Sequence, residues 1–120
     1  LSYTNFEYSN LKLSADSLTK KGKIIASVTI KNTGNKTGKE VVQLYIRDMI
    51  GSLTRPVKEL KAFEMIELKA NEQKTVQFTI GEKMLEFYTA NNKWEVESGD
   101  FKVFVGGNSV ETLETNFKVE

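Results

Sequence analysis

Glu40-Val41-Val42-Gln43-Leu44-Tyr45-Ile46-Arg47-Asp48 is followed, after the loop Met49–Thr54, by Arg55-Pro56-Val57-Lys58-Glu59-Leu60-Lys61-Ala62-Phe63 and a continuation to Leu68. The first half of this stretch alternates. Val42, Leu44 and Ile46 fall on one side of an extended chain, and Val41, Gln43, Tyr45 and Arg47 on the other. A period of two marks a strand with one face in a core. The loop carries Gly51, Ser52 and the only proline of the chain, which is turn chemistry. The stretch therefore reads as a central strand, a connection across one end and a second strand. Nothing in it suggests chemistry.

Outward from this centre the same pattern recurs. Lys23–Lys31 places Ile24, Ala26, Val28 and Ile30 on one face, and its β-branched residues suit a pleated, half-buried surface. Phe6–Leu13 alternates until the parity slips near Asn10, which predicts a bulge or a switch between sheets. Residues 1–5 form a polar leading segment, and Asp16–Gly22 reads as a polar turn. Asn32–Gly38 is a loop, and its Asn35-Lys36-Thr37 triplet marks surface. In the second half of the central stretch the parity changes. Leu60 and Ala62 share a face, Phe63 and Met65 take the other, and Ile66 and Leu68 rejoin the first. A kink near Phe63–Met65, with the chain passing from one sheet to another, is the expectation. Asn71-Glu72 is a turn, and Thr75–Ile80 is a strand with Val76, Phe78 and Ile80 inward. Met84, Leu85 and Tyr88 have the spacing of a single helical turn. Phe101, Val103 and Val105 line a strand that ends at Gly106-Gly107, and Thr115–Val119 closes the series.

Seven short strands with turn signals between them predict an all-β, immunoglobulin- or fibronectin type III-like sandwich of about seven antiparallel strands with one short helical turn. With 120 residues there is room for one domain, 1–120, burying roughly 65–70% of its unfolded surface. Lys+Arg number 17 and Asp+Glu 16, so the net charge of +1 offers no footprint for nucleic acid. Lys20-Lys21-Gly22-Lys23 is the densest cationic stretch and reads as a soluble turn. No apolar run approaches the ~20 residues of a membrane span. The chain opens at Leu1 without an initiator Met and looks like a piece of a longer protein, which leaves the compartment open.

The routes to catalysis are few. There is no His and no Cys, so an imidazole base, a thiol nucleophile, a disulfide framework and thiolate metal sites are all ruled out. No phosphate-cradling glycine motif is present, and no cofactor is implied. The remaining candidates for a glycosidase-type carboxylate pair are Asp48, Glu59, Glu64, Glu67, Glu86, Glu95 and Glu97. Each sits at an outward strand position or beside a turn, where carboxylates face water. Trp94 has two readings, a sugar-stacking platform or a core residue capping one end of the sandwich. Its neighbour Val96 favours the core, and Tyr45 and Tyr88 are read the same way. No exposed aromatic row is visible. Arg55-Pro56 reads equally as an interface anchor or as a fixed turn.

A longer series of residues carries a family resemblance. It runs through Ser2-Tyr3-Thr4, Phe6, Tyr8-Ser9 and Leu11, then Val28, Ile30 and Asn32-Thr33-Gly34. It continues with Gly38, Glu40–Ile46, Asp48, Arg55–Lys61, Phe63, Thr75-Val76, Phe78 and Phe87-Tyr88. It ends with Trp94, Val96-Glu97, Gly99, Phe101, Val103 and Val105-Gly106. This ordered series resembles the C-terminal fibronectin type III-like domain of family 3 glycoside hydrolases, the β-glucosidases and β-xylosidases. Ala62, Thr89 and Ser98 depart from it, where the family often has Gly, Asp and Pro. The resemblance implies a sandwich appended to catalytic domains that carry the nucleophile and the acid/base, so no catalytic residue transfers to this chain. It implies a non-catalytic accessory domain whose partners are the catalytic domains of the same polypeptide, in a parent that is periplasmic or secreted in some members. The candidate joining residues are Tyr3, Phe6, Arg55, Pro56 and Lys58. The alternatives are a carbohydrate-binding module and a generic protein-interaction domain. Sugar binding is disfavoured by the absence of an aromatic row.

Overall fold

A computed structural model describes residues 5–49, 58–89 and 91–120. Its strands follow the apolar alternation. They are β1 (Phe6–Leu13), β2 (Ser17–Leu18), β3 (Ile24–Asn32), β4 (Gly38–Asp48), β5 (Lys58–Leu68), β6 (Gln73–Ile80), β7 (Phe87–Tyr88), β8 (Trp94–Glu95), β9 (Gly99–Gly106) and β10 (Thr112–Val119), with the helical turn α1 (Glu82–Leu85) after β6. The seven long strands answer the expectation. With the short β2 they form a three-stranded sheet, β1-β3-β6, and a five-stranded sheet, β2-β10-β9-β4-β5; among the described residues β7 and β8 pair with each other alone.

Burial drives the arrangement. Ile24, Ala26, Val28 and Ile30 of β3 and Val42, Leu44 and Ile46 of β4 are all buried, as are Val76, Phe78 and Ile80 of β6. Two sheets with such faces hide them by packing face to face. Phe101 links the five-stranded sheet to the β7–β8 pair: its ring stacks on Phe117 at 5.4 Å and lies 6.4 Å from Phe87. Leu85, on the helical turn, closes one end of this core.

The bulge near Asn10 is present. The β1–β3 register shifts between Ser9 and Lys12, and Asn10 has φ 56°, a left-handed conformation that asparagine tolerates. Two expectations need correction. The stretch Asp16–Gly22 holds strand β2, which pairs in parallel with the end of β10 and buries Leu18, so not every pairing is antiparallel. Nor does the chain change sheets at Phe63–Met65. β5 stays on β4 along its whole length, from Arg47↔Lys58 to Gly38↔Leu68. The parity change is absorbed earlier, because Leu44 pairs with Ala62 while Tyr45 pairs with Leu60, leaving Lys61 as the extra residue of a bulge.

Two polar clusters pin the sheets. Asn32 is fully buried at the end of β3. Its Nδ2 donates to Lys36 O (2.8 Å) and Leu68 O (3.0 Å), and its Oδ1 accepts from Gly34 N (2.9 Å). One amide thus ties the three-stranded sheet to β5 and closes the loop after itself. At the same end Tyr8 OH donates to Glu40 Oε2 (2.8 Å). Burial, then the Glu40 bond and charge, push the phenol above its ordinary value of 10.0. Gly107 lies against this carboxylate; a Cβ there would come 2.5 Å from Glu40 Oε2.

Candidate functional site

The outer face of the five-stranded sheet is built by β4, β5 and β9. Register sets Val41 beside Met65, Gln43 beside Phe63, Tyr45 between Leu60 and Phe104, and Arg47 between Lys58 and Lys102. The face has two halves of different character.

One half covers itself. Lys58 reaches across the sheet, its Nζ 4.5 Å from the Phe104 ring centre and 5.5 Å from that of Tyr45, and donates to Ser109 O at 2.6 Å. Arg47 lies over Phe104 at 5.4 Å. Phe104 is buried under these cations although it points away from the core. Tyr45 OH donates to Gln43 Oε1, and Gln43 Nε2 donates to Gly107 O at 3.1 Å. The other half is bare. Leu60, Phe63 and Met65 follow one another along β5 and are 50%, 67% and 65% exposed. Single exposed apolar residues are ordinary, but three in a row on an edge strand form a patch.

Beyond the edge of β5 stands the β7–β8 hairpin. Phe87 pairs with Glu95 and Tyr88 with Trp94. Phe87 is buried in the core, so its neighbour Tyr88, together with Trp94, faces outward at 47% and 56% exposure. The two rings meet edge to face, 5.8 Å apart at 68°. This corrects the core reading of Trp94 and Tyr88. A two-residue strand outside both sheets brings a side chain to the sandwich end only on its Phe87 face. Tyr45 is also corrected: it is half-buried, on the outer face of the sheet.

Lys61, the bulge residue, ties the hairpin to β5. Its Nζ donates to Glu86 O at 2.8 Å and pairs with Glu59 Oε1 at 3.1 Å, with the side chain only 11% exposed. The ammonium lies 4.3 Å from the Phe87 ring centre and 5.7 Å from that of Trp94. The hairpin turn is hydrogen-bonded internally. Thr89 N donates to Lys93 O, while Thr89 Oγ1 (2.7 Å) and Asn91 Nδ2 (2.7 Å) both donate to Glu95 Oε1. These bonds, Thr89's first, hold the Glu95 carboxyl below the usual range.

Of the joining residues expected from sequence, Tyr3, Arg55 and Pro56 lie outside the described residues. Lys58 is on the outer sheet face, and Phe6 is half-buried against the core on the opposite sheet, so these two are not brought together. Among the carboxylates, Asp48 departs from the outward expectation. It continues the inward parity of Val42, Leu44 and Ile46 and is buried. Among the described residues no group of three or more acidic side chains is placed to hold a metal ion. The outward parity of Phe63 and Met65 is a feature of the strand face and not of a kink. The signal that was present, Phe63 and Met65 on the parity of exposed Glu67 and opposite a buried Ile66 and Leu68, describes an apolar outer face.

Residues 40–109 match the fibronectin type III-like domain model. The chain belongs to the fibronectin type III-like domain family. This fibronectin type III-like chain is 49% identical over its full length to a putative β-xylosidase of Formosa agariphila and 42% identical over 119 residues to the periplasmic β-glucosidase of Salmonella typhimurium. In each case it spans 16% of the relative's length. A solved β-glucosidase from Erythrobacter marinus superposes on the whole chain with TM-score 0.91 at 36% identity, again over 16% of that protein. The resemblance to the domain of family 3 glycoside hydrolases is thereby borne out.

Proposed function

We propose that residues 1–120 form a single non-catalytic accessory domain of a larger β-glucosidase- or β-xylosidase-type glycoside hydrolase, packing against the catalytic part of the same polypeptide and stabilising it. The observation that carries this reading is the bare apolar row Leu60, Phe63 and Met65 on one face of β5. A hydrophobic row of this kind gains free energy when covered, at roughly 25 cal/mol per Å² removed from water. The share of the relatives that the chain spans leaves most of their length available as the cover. Catalysis is assigned elsewhere because neither imidazole nor thiol is present, Asp48 is buried, Glu59 is paired with Lys61 and Glu95 is bonded within the hairpin turn.

The test is deletion of residues 1–120 from the full-length enzyme, followed by thermal unfolding. A clearly lower midpoint supports the stabilising role, and an unchanged heating curve overturns it. The purified chain should leave chromogenic glucosides and xylosides uncleaved. Turnover abolished by replacing one of its own acidic residues would refute the non-catalytic assignment.

A glycan-binding reading draws on the exposure of Tyr88 and Trp94. Their 68° interplanar angle offers a corner and no flat platform for a pyranose ring. Calorimetric titration with cello-, xylo- and laminari-oligosaccharides that evolves no heat removes it.

A further inference from the structure

We infer that the Tyr88–Trp94 hairpin is a second, separate docking element for the rest of the same polypeptide, so that the neighbouring domain grips β5 from both sides of its edge. This rests on the accessory reading above but names a surface that reading does not need.

Three observations carry it. First, a two-stranded ribbon of two residues per strand has little stability of its own. Here it is held by an ammonium that is nearly out of water: Lys61 is bonded to Glu86 O, paired with Glu59 and laid against the Phe87 and Trp94 rings. The arrangement fixes two exposed aromatic side chains in place before anything binds them. Such preorganisation lowers the ordering cost of association, and Trp and Tyr are the residue types that dominate protein interfaces. Second, the edge-to-face geometry suits a protein surface with its own corner and ridge better than a sugar face. Third, the hairpin is continuous with the apolar row. Leu60 and Phe63 lie on one side of β5, and the Lys61 stem crosses to Trp94 on the other, within the same four residues of chain. β5 is the terminal strand of its sheet, so a partner on its outer face can also reach around its edge to the hairpin. The partner is taken as the remainder of the polypeptide because the matched relatives extend well beyond the 16% of their length that this chain spans.

The experiment is hydroxyl-radical footprinting of the full-length enzyme, unmodified, at concentrations where it is monomeric and where it is not, with and without cello-oligosaccharide. Oxidation is read at Trp94, Tyr88, Phe63 and Met65. The expected result is that both groups oxidise several-fold more slowly than the same peptides in a digest, independent of enzyme concentration and sugar. If Phe63 and Met65 are protected while Trp94 and Tyr88 oxidise freely, the hairpin proposal falls and the accessory reading stands. Free oxidation of both groups overturns both. Protection of Trp94 that appears only at high concentration assigns the hairpin to a second copy, and protection that appears only with sugar assigns it to a glycan. Either result overturns the inference.

Discussion

Asn32 shows how much one side chain can organise. Its amide uses both hydrogens and its oxygen within the fold, joining β3, the following loop and the end of β5. Replacing Asn32 by Ala leaves the Leu68 and Lys36 carbonyls and the Gly34 N–H without these partners. The expected cost is roughly 2–4 kcal/mol, read as a lower urea midpoint at unchanged slope. Tyr8 gives a pH test with a defined sign. Its folded pKa is raised, so the folded state holds the phenolic proton after the unfolded chain has lost it. Stability from this group is complete below the ordinary value of 10.0 and declines as pH rises beyond it. Tyr8→Phe loses the Glu40 hydrogen bond and is less stable at neutral pH. Its deficit relative to the parent should shrink steadily above pH 10, followed by denaturant midpoints across the alkaline range. An undiminished deficit would mean that Tyr8 ionises freely in the fold.

At the scale of elements, β5 and the hairpin behave as one unit through Lys61. Lys61→Met keeps the aliphatic stem and removes the ammonium. Amide exchange of residues 87–95 should then quicken by roughly tenfold or more, in line with a lost charge-assisted bond, while the amides of β3 and β4 keep their rates. Equal acceleration everywhere would place Lys61 in global stability instead. In the hairpin turn, Thr89→Ala removes the first of the bonds that hold down Glu95. Its carboxyl titration, followed by NMR, should move up toward the ordinary range. These elements also show what the sequence could reveal. β3, β4, β6 and the bulge at Asn10 were legible because one face of each is buried, and burial writes a period of two into the residues. β2 and the β7–β8 hairpin were not, because two residues carry no period. Trp94 was misplaced for a related reason: whether an aromatic caps a core or faces outward depends on which member of a two-residue strand points inward, and that is decided by Phe87 seven residues earlier. Lys61 was invisible because its role depends on a backbone carbonyl 25 positions away.

For the whole molecule, the exposed row predicts different consequences in different settings. Phe63→Asp places a charge on a surface that the accessory reading covers. The full-length enzyme should lose several degrees of thermal midpoint while turnover at low temperature persists, because the accessory reading puts the catalytic part elsewhere. In the purified chain the same change should leave the unfolding free energy within about 0.5 kcal/mol of the parent, since the residue is 67% exposed there. A drop of equal size in both settings would locate the effect inside the sandwich.

β5 also has an open flank. Among the described residues it ends its sheet with one set of backbone donors and acceptors paired by no strand, beside three apolar side chains. Such a margin is a template for amyloid-like stacking, and charges along it act as gatekeepers. Lys61 is turned aside into the hairpin and Lys58 is drawn across the sheet to Phe104 and Ser109, so Glu64 and Glu67 are left to guard it. A fragment liberated by proteolysis should therefore cloud with time at high concentration, and light scattering should report that turbidity sooner in salt, which screens those charges.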